Sequence, residues 1–211
     1  DWELGDWNLH IKRLKNPLTG STTWTEMDGT VVCRPIRGGS GNIAEVTADS
    51  PSGHLEFLAL RLYNPDTRQW TNTFAGRSDG KLGVPMFGEF KNGRGEFYDQ
   101  EEYNGRMIMV RFTFIPLTAD SGRSEQAFSD DGGKTWETNW INAYTRVKGG
   151  SVNTRPSDAK SQATDGQRDF DFQFGTWRTH IKRLRKPLVG STEWVEYDGT
   201  SVVQKIWNGR A

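Results

Sequence analysis

Cysteine is almost missing from this chain, net charge is absent, and no apolar run is long. Cys33 is the only cysteine, so no internal disulfide can form, and a buried, inert thiol is expected there. Lys plus Arg and Asp plus Glu stand at 27 each, so no chain-wide field draws in nucleic acid or an anionic surface, and no nucleic-acid partner is expected. No hydrophobic stretch reaches the length of a membrane span. Three histidines without close spacing and one thiol do not assemble a zinc set, so neither a metal nor a cofactor is expected. The chain also lacks a G-x-S-x-G elbow, a phosphate-cradling loop ahead of a helix, and an H-E-x-x-H helix.

What is present is glycine, aromatic residues and short alternating runs: 24 Gly, nine Trp and eleven Phe, with a mean hydropathy of −0.75. In residues 7–14, Trp7, Leu9 and Ile11 alternate with Asn8, His10 and Lys12, the period of a half-buried strand. Residues 22–34 continue extended, with a bend or bulge expected at Asp28-Gly29. Residues 54–63 give the clearest strand pattern, and Asn92-Gly93 and Asn104-Gly105 are hairpin turns. Glu101-Glu102 and Asp130-Asp131 read as turn carboxylates. The complete pass gives about ten strands, an all-β antiparallel meander closing as an up-and-down barrel or a tight sandwich.

The chain also repeats itself. Residues 171–211 match residues 1–41 without a gap, so that Trp7, His10, Trp24 and Glu26 answer to Trp177, His180, Trp194 and Glu196. The expected organisation is a complete unit at 1–147, a flexible linker at 148–168, and a partial repeat of two to three strands at 169–211. Residues 148–168 hold no aromatic side chain and cannot bury enough surface to order themselves. Two or three strands are marginal alone, so Trp177, Ile181, Trp194, Tyr197 and Trp207 are expected to dock on a barrel, in cis or in trans. Either the natural chain runs on past Ala211 into a second barrel, or the repeat swaps into another subunit, giving self-association through residues 171–211. Asp1 in place of Met fits a removed signal peptide as well as an excised segment, and favours a periplasmic or secreted protein.

The G-x-W of Gly5–Trp7, the H-x-x-R-L of His10–Leu14, GSTTWTEMDGT at 20–30, GEFKNGRGEFYDQE at 88–101 and FSDDGGKTWETNW at 128–140 together resemble the DUF1579-type bacterial proteins. The resemblance spans residues 1–146, and 165–211 as the start of a second copy. It implies a lipocalin-like (calycin) barrel, and with it a small apolar or amphipathic ligand held inside, but no particular reaction.

Candidate ligand-binding residues are the polar and aromatic side chains carried by strands: His10, Glu26, Glu45, Arg61, Trp70, Glu89, Arg111, Glu125, Trp136 and Trp140. Alternation alone does not say which of them face inward. A catalytic alternative pairs His10 with a carboxylate such as Glu26, as an isomerase or lyase on the same scaffold; it requires both groups in one cavity. Ser129–Trp136 resembles an Asp-box, and a single copy reads as a structural hairpin.

Overall fold

A computed structural model of the chain describes residues 2–51, 53–76, 80–148 and 170–206. Ten strands form the first unit: β1 (Gly5–Leu14), β2 (Trp24–Ile36), β3 (Gly41–Ser50), β4 (Gly53–Asn64), β5 (Gln69–Gly76), β6 (Met86–Lys91), β7 (Arg94–Tyr103), β8 (Arg106–Thr118), β9 (Ser121–Ser129) and β10 (Glu137–Arg146). Each pairs antiparallel with its sequence neighbours, and β1 pairs with β10, so the meander closes into a barrel. Closure leaves no edge strand exposed, which removes the hazard of a long unpaired sheet. Of the two architectures the alternation allowed, the barrel is the one formed.

The strand periodicity explains the core. Trp7, Leu9 and Ile11 of β1, Val31 and Cys33 of β2, and Ala44, Val46 and Ala48 of β3 point inward as one cluster. Met86, Phe97, Ile108, Val110, Phe112, Phe114 and Phe128 fill the barrel's other side. Two hairpins turn where Asn-Gly occurs: Asn92 and Gly93 have φ of 52° and 74°, and Asn104 and Gly105 have 51° and 77°. Both central residues have positive φ, the twist that fits a two-residue turn between right-twisted strands.

Of the bend or bulge expected at Asp28-Gly29, no bulge forms. The β1–β2 and β2–β3 registers both run through these residues unbroken, Leu9 opposite Gly29 and Gly29 opposite Ala48. Glycine is needed there for space: a Cβ at position 29 would lie 2.0 Å from the Thr47 carbonyl oxygen and 2.6 Å from the Ala48 Cα. The register shifts fall elsewhere, between Thr138 and Trp140 on β10 and between Pro116 and Thr118 on β8. Glu101 and Glu102 are also relocated, since β7 runs on to Tyr103 and takes both into the sheet.

The segment before β1 seals one end of the barrel. Trp2 packs edge-on against Trp7, Phe114 and Tyr144, with ring centroids 5.6, 6.3 and 5.5 Å away. Arg146, at the end of β10, donates to the Trp2 and Leu4 carbonyls at 2.8 Å each, and its guanidinium sits 4.0 Å from the Trp7 ring centroid. The Trp7 indole N–H donates to the Glu3 carbonyl at 2.6 Å. The first and last strands are thereby tied through the plug.

The second unit is an unclosed two-stranded sheet, β11 (Gly175–Leu184) with β12 (Trp194–Val203). Its register copies β1–β2 pair for pair: Gly175 faces Val203 as Gly5 faces Cys33, and Leu184 faces Trp194 as Leu14 faces Trp24. Trp177, Ile181, Trp194 and Tyr197 remain about half exposed. The linker expected over 148–168 lies, apart from Lys148, outside the described residues, as does Trp207.

Gly29→Ala should cost about 3 kcal/mol, the upper end for overpacking, because backbone and not a flexible side chain blocks the methyl. The measurement is the urea midpoint at unchanged slope. The matching change in β12, Gly199→Ala, meets nothing closer than the Thr179 hydroxyl at 3.4 Å and should leave that midpoint unmoved.

Candidate functional site

Alternation places β4 and β10 so that Phe57, Ala59 and Arg61, and Trp140, Asn142 and Tyr144, project into the barrel. Together with Leu9, Val46, Phe74, Phe112, Gln126 and Glu3 they line a cavity of about 280 Å³. The cavity is partly open. Its deep part, at Arg61 and Tyr144, adjoins the end sealed by Trp2. Phe57, Gly76 and Trp140 lie toward the other end, where β4 and β10 begin and β5 finishes.

The deep part is polar but charge-balanced. Arg61 and Glu3, both nearly buried, form an ion pair at 2.8 Å. The guanidinium also donates to Asn42 Oδ1 at 3.0 Å and Asn72 Oδ1 at 3.3 Å, and lies 5.0 Å from the Phe114 ring centroid. Burial, the largest single influence, works against the arginine's charge, but Glu3, Cys33 and Tyr144 together outweigh it and the guanidinium pKa is raised. Beside it, Asn142 donates to Ser124 Oγ at 2.9 Å, Ser124 and Tyr144 share a hydrogen bond of 2.9 Å, and the Trp140 indole donates to Asn142 Oδ1 at 2.7 Å. Burial, then the Glu3 charge, pushes the Tyr144 phenol upward, so it stays protonated. Cys33 is buried as expected, and burial lifts its thiol to about 12.

Of the residues singled out from sequence, Arg61 and Trp140 line this cavity. Trp70 lines a smaller void of about 40 Å³ that also touches Arg61 and Glu3. The others lie on the outer surface. Glu45 sits between the inward-facing Ala44 and Val46, Glu89 is exposed on β6, and Glu125 pairs with Arg123 at 2.5 Å. Arg111 lies 4.5 Å from the ring centroid of Trp136, and that ring belongs to the 129–136 hairpin outside the barrel. The hairpin is held by Asp131, whose carboxylate accepts from the Ser129 hydroxyl, the Lys134 and Thr135 amides and the Thr135 hydroxyl. These bonds, that of the Thr135 hydroxyl first, hold its carboxyl far below the usual range.

His10 and Glu26 do meet, but outside the cavity. Their side chains are 40% and 52% exposed, with Nε2 3.5 Å from Glu26 and Nδ1 2.7 Å from Asp28. Glu26 is bound by Lys12 at 2.6 Å, which lowers its pKa. His54 repeats the pattern between Asp49 at 2.7 Å and Glu56 at 3.5 Å, and the Asp49 hydrogen bond raises its pKa. His180 repeats it again with Asp198 and Glu196. In all three clusters both ring nitrogens face carboxylates, an arrangement that ties neighbouring strands together. Among the described residues no group of three or more His, Cys, Asp or Glu could hold a metal ion.

Sequence reasoning missed Glu3, Asn142, Tyr144, Asp99 and Glu101. The last two follow from β7 once Phe97 is known to be buried, because odd positions then face inward. Asp99 Oδ1 is buried with no hydrogen-bond partner. Burial first, and the neighbouring Glu101 charge second, raise the Asp99 carboxyl to about 7, and burial raises Glu101 as well.

A closed, ten-stranded antiparallel barrel with an internal cavity is a calycin scaffold, lipocalin-like in architecture. No family model matches the chain, and no curated protein matches it significantly.

The pH dependence of stability should carry the mark of Asp99. The folded protein keeps a proton there that the unfolded chain releases near 3.8, so stability falls as pH rises from 3.8 to about 7. Asp99→Asn should therefore raise the urea midpoint at pH 8 and change it little at pH 4. An equal effect at both pH values would show that the carboxyl is not held protonated.

Proposed function

We propose that the first unit binds a small apolar or amphipathic molecule inside the barrel. The observation that carries this reading is the cavity, whose walls are Leu9, Val46, Phe57, Phe74, Phe112 and Trp140 and whose deep part has its charges already paired. At about 280 Å³ it stands at the small end of ligand pockets. Neutral hydrogen-bonding groups remain within reach at Gln126, Asn142 and Tyr144, while a charged group at the deep end would disturb the Arg61–Glu3 pair. The resemblance of the motifs quoted above to the DUF1579-type proteins is in keeping with the same reading. A reaction using His10 with Glu26 would have to take place on the outer face, away from this cavity.

The binding test is titration with N-phenyl-1-naphthylamine, a neutral apolar fluorophore, with Trp140 in the wall as an internal reporter. Emission should rise and shift to the blue on binding. Ala59→Phe, which fills the cavity from β4, should weaken binding at least tenfold while near-ultraviolet dichroism stays native. Unchanged affinity in that variant would place the probe elsewhere and sink the reading.

A second reading is self-association through the partial repeat, favoured by the copied register and the half-exposed Trp177, Ile181, Trp194 and Tyr197. In this reading the hairpin docks on a barrel of another copy, with residues 1–147, 148–168 and 169–211 acting as barrel, linker and docking element. Light scattering over a concentration series should show mass rising with concentration, less so in Trp177→Lys. A single monomeric mass throughout would remove it.

A further inference from the structure

Beside the cavity's outer wall stands a cation without a matching carboxylate, whereas the charges of the deep part are balanced. Arg13 is the cross-strand partner of Trp140, so the two side chains stand on the same side of the sheet. Its guanidinium lies 5.1 Å from the centroid of the Trp140 ring, and Trp140 is itself part of the cavity wall. Arg13 is exposed, and among the described residues it has no carboxylate partner. The Glu137 carboxylate, at the start of β10, accepts from the Leu18 amide at 2.6 Å and forms no ion pair with Arg13. Asp99 and Glu101 face the interior from β7, four strands away round the barrel. The deep cation, Arg61, is neutralised by Glu3.

This distribution orients a ligand. An apolar body gains by entering the cavity, and a charged head loses at the deep end, where both charges are matched and buried. At the outer margin a planar guanidinium already held against an aromatic face offers two parallel donors, the fork that fits a carboxylate. Solvent there lets the head keep part of its hydration. We infer that the ligand is an anionic amphiphile, a small carboxylic acid with an aliphatic or aromatic body, bound tail-inward with its carboxylate on Arg13. The inference rests on the binding reading above and adds the ligand's charge, its orientation and the residue that selects it.

The experiment displaces N-phenyl-1-naphthylamine from the intact chain with two competitors of equal length, octanoate and 1-octanol, at neutral pH. Octanoate should compete at least tenfold more strongly than octanol. Arg13→Gln should bring octanoate down to the level of octanol while leaving octanol and the fluorophore unchanged, which also shows that the variant is folded. Arg13→Lys should keep part of the preference, and high salt should shrink it in the wild-type chain, since the site is exposed. If the two competitors bind equally, or if Arg13→Gln weakens both alike, the anionic assignment is overturned and the apolar reading stands. If neither competitor nor fluorophore binds, the cavity reading itself falls, and the inference with it.

Discussion

The Arg61–Glu3 pair is the constraint around which the barrel is arranged. A guanidinium on the inward side of β4 can exist in this interior only if a carboxylate meets it and its other donors find acceptors. The carboxylate comes from the segment before β1, the acceptors from Asn42 on β3 and Asn72 on β5. Removing either charge from such a pair typically costs roughly 3–5 kcal/mol, because the survivor is left buried and unmatched. The pair therefore fixes where the N-terminal segment must lie, and with it Trp2, whose ring closes that end against Trp7, Phe114 and Tyr144. A cavity closed at its deep end follows from one electrostatic requirement met by four separate parts of the chain.

The walls obey a different physics. Phe57, Phe74 and Phe112 meet edge-on or tilted at 5.5 to 5.9 Å, which suits the quadrupoles of aromatic rings and fixes their orientation. Small side chains on the same face, Ala59 among them, leave the space that the rings do not fill. Glycine does comparable work where strands crowd: Gly29 and Gly88 let neighbouring backbone approach to distances that any Cβ would forbid. The result is an interior packed on its β6–β8 side and hollow along β4 and β10.

The ten strands, their antiparallel order and most of the turns were legible in the sequence, because period-two alternation and Asn-Gly turns act locally. The faces were not. Arg61, Glu45 and Arg111 look alike in their own strands, each a charge among apolar residues. Which side is interior depends on closure by β1 and β10, a contact between distant parts of the chain. Arg61 and Trp140 were picked from sequence and line the cavity, but the same reasoning picked Glu89 and Glu125, which do not. Glu3 carries no local signal at all, standing ahead of the first strand. The expected bulge at Asp28-Gly29 fails for a related reason: the sequence shows that a side chain is missing there, not what takes its place.

Set beside β1–β2, the hairpin β11–β12 shows which side chains the two share and which they do not. On the outer face the histidine cluster is preserved whole, with His180, Lys182, Glu196 and Asp198 in the places of His10, Lys12, Glu26 and Asp28. On the inner face Leu9, Val31 and Cys33 have become Thr179, Ser201 and Val203, and Glu3 has become Gln173. A barrel begun by this hairpin would line two apolar positions with hydroxyls and would offer an amide where the first barrel offers a carboxylate. The two hairpins share one pattern on the histidine face and differ on the face that β1 and β2 turn inward.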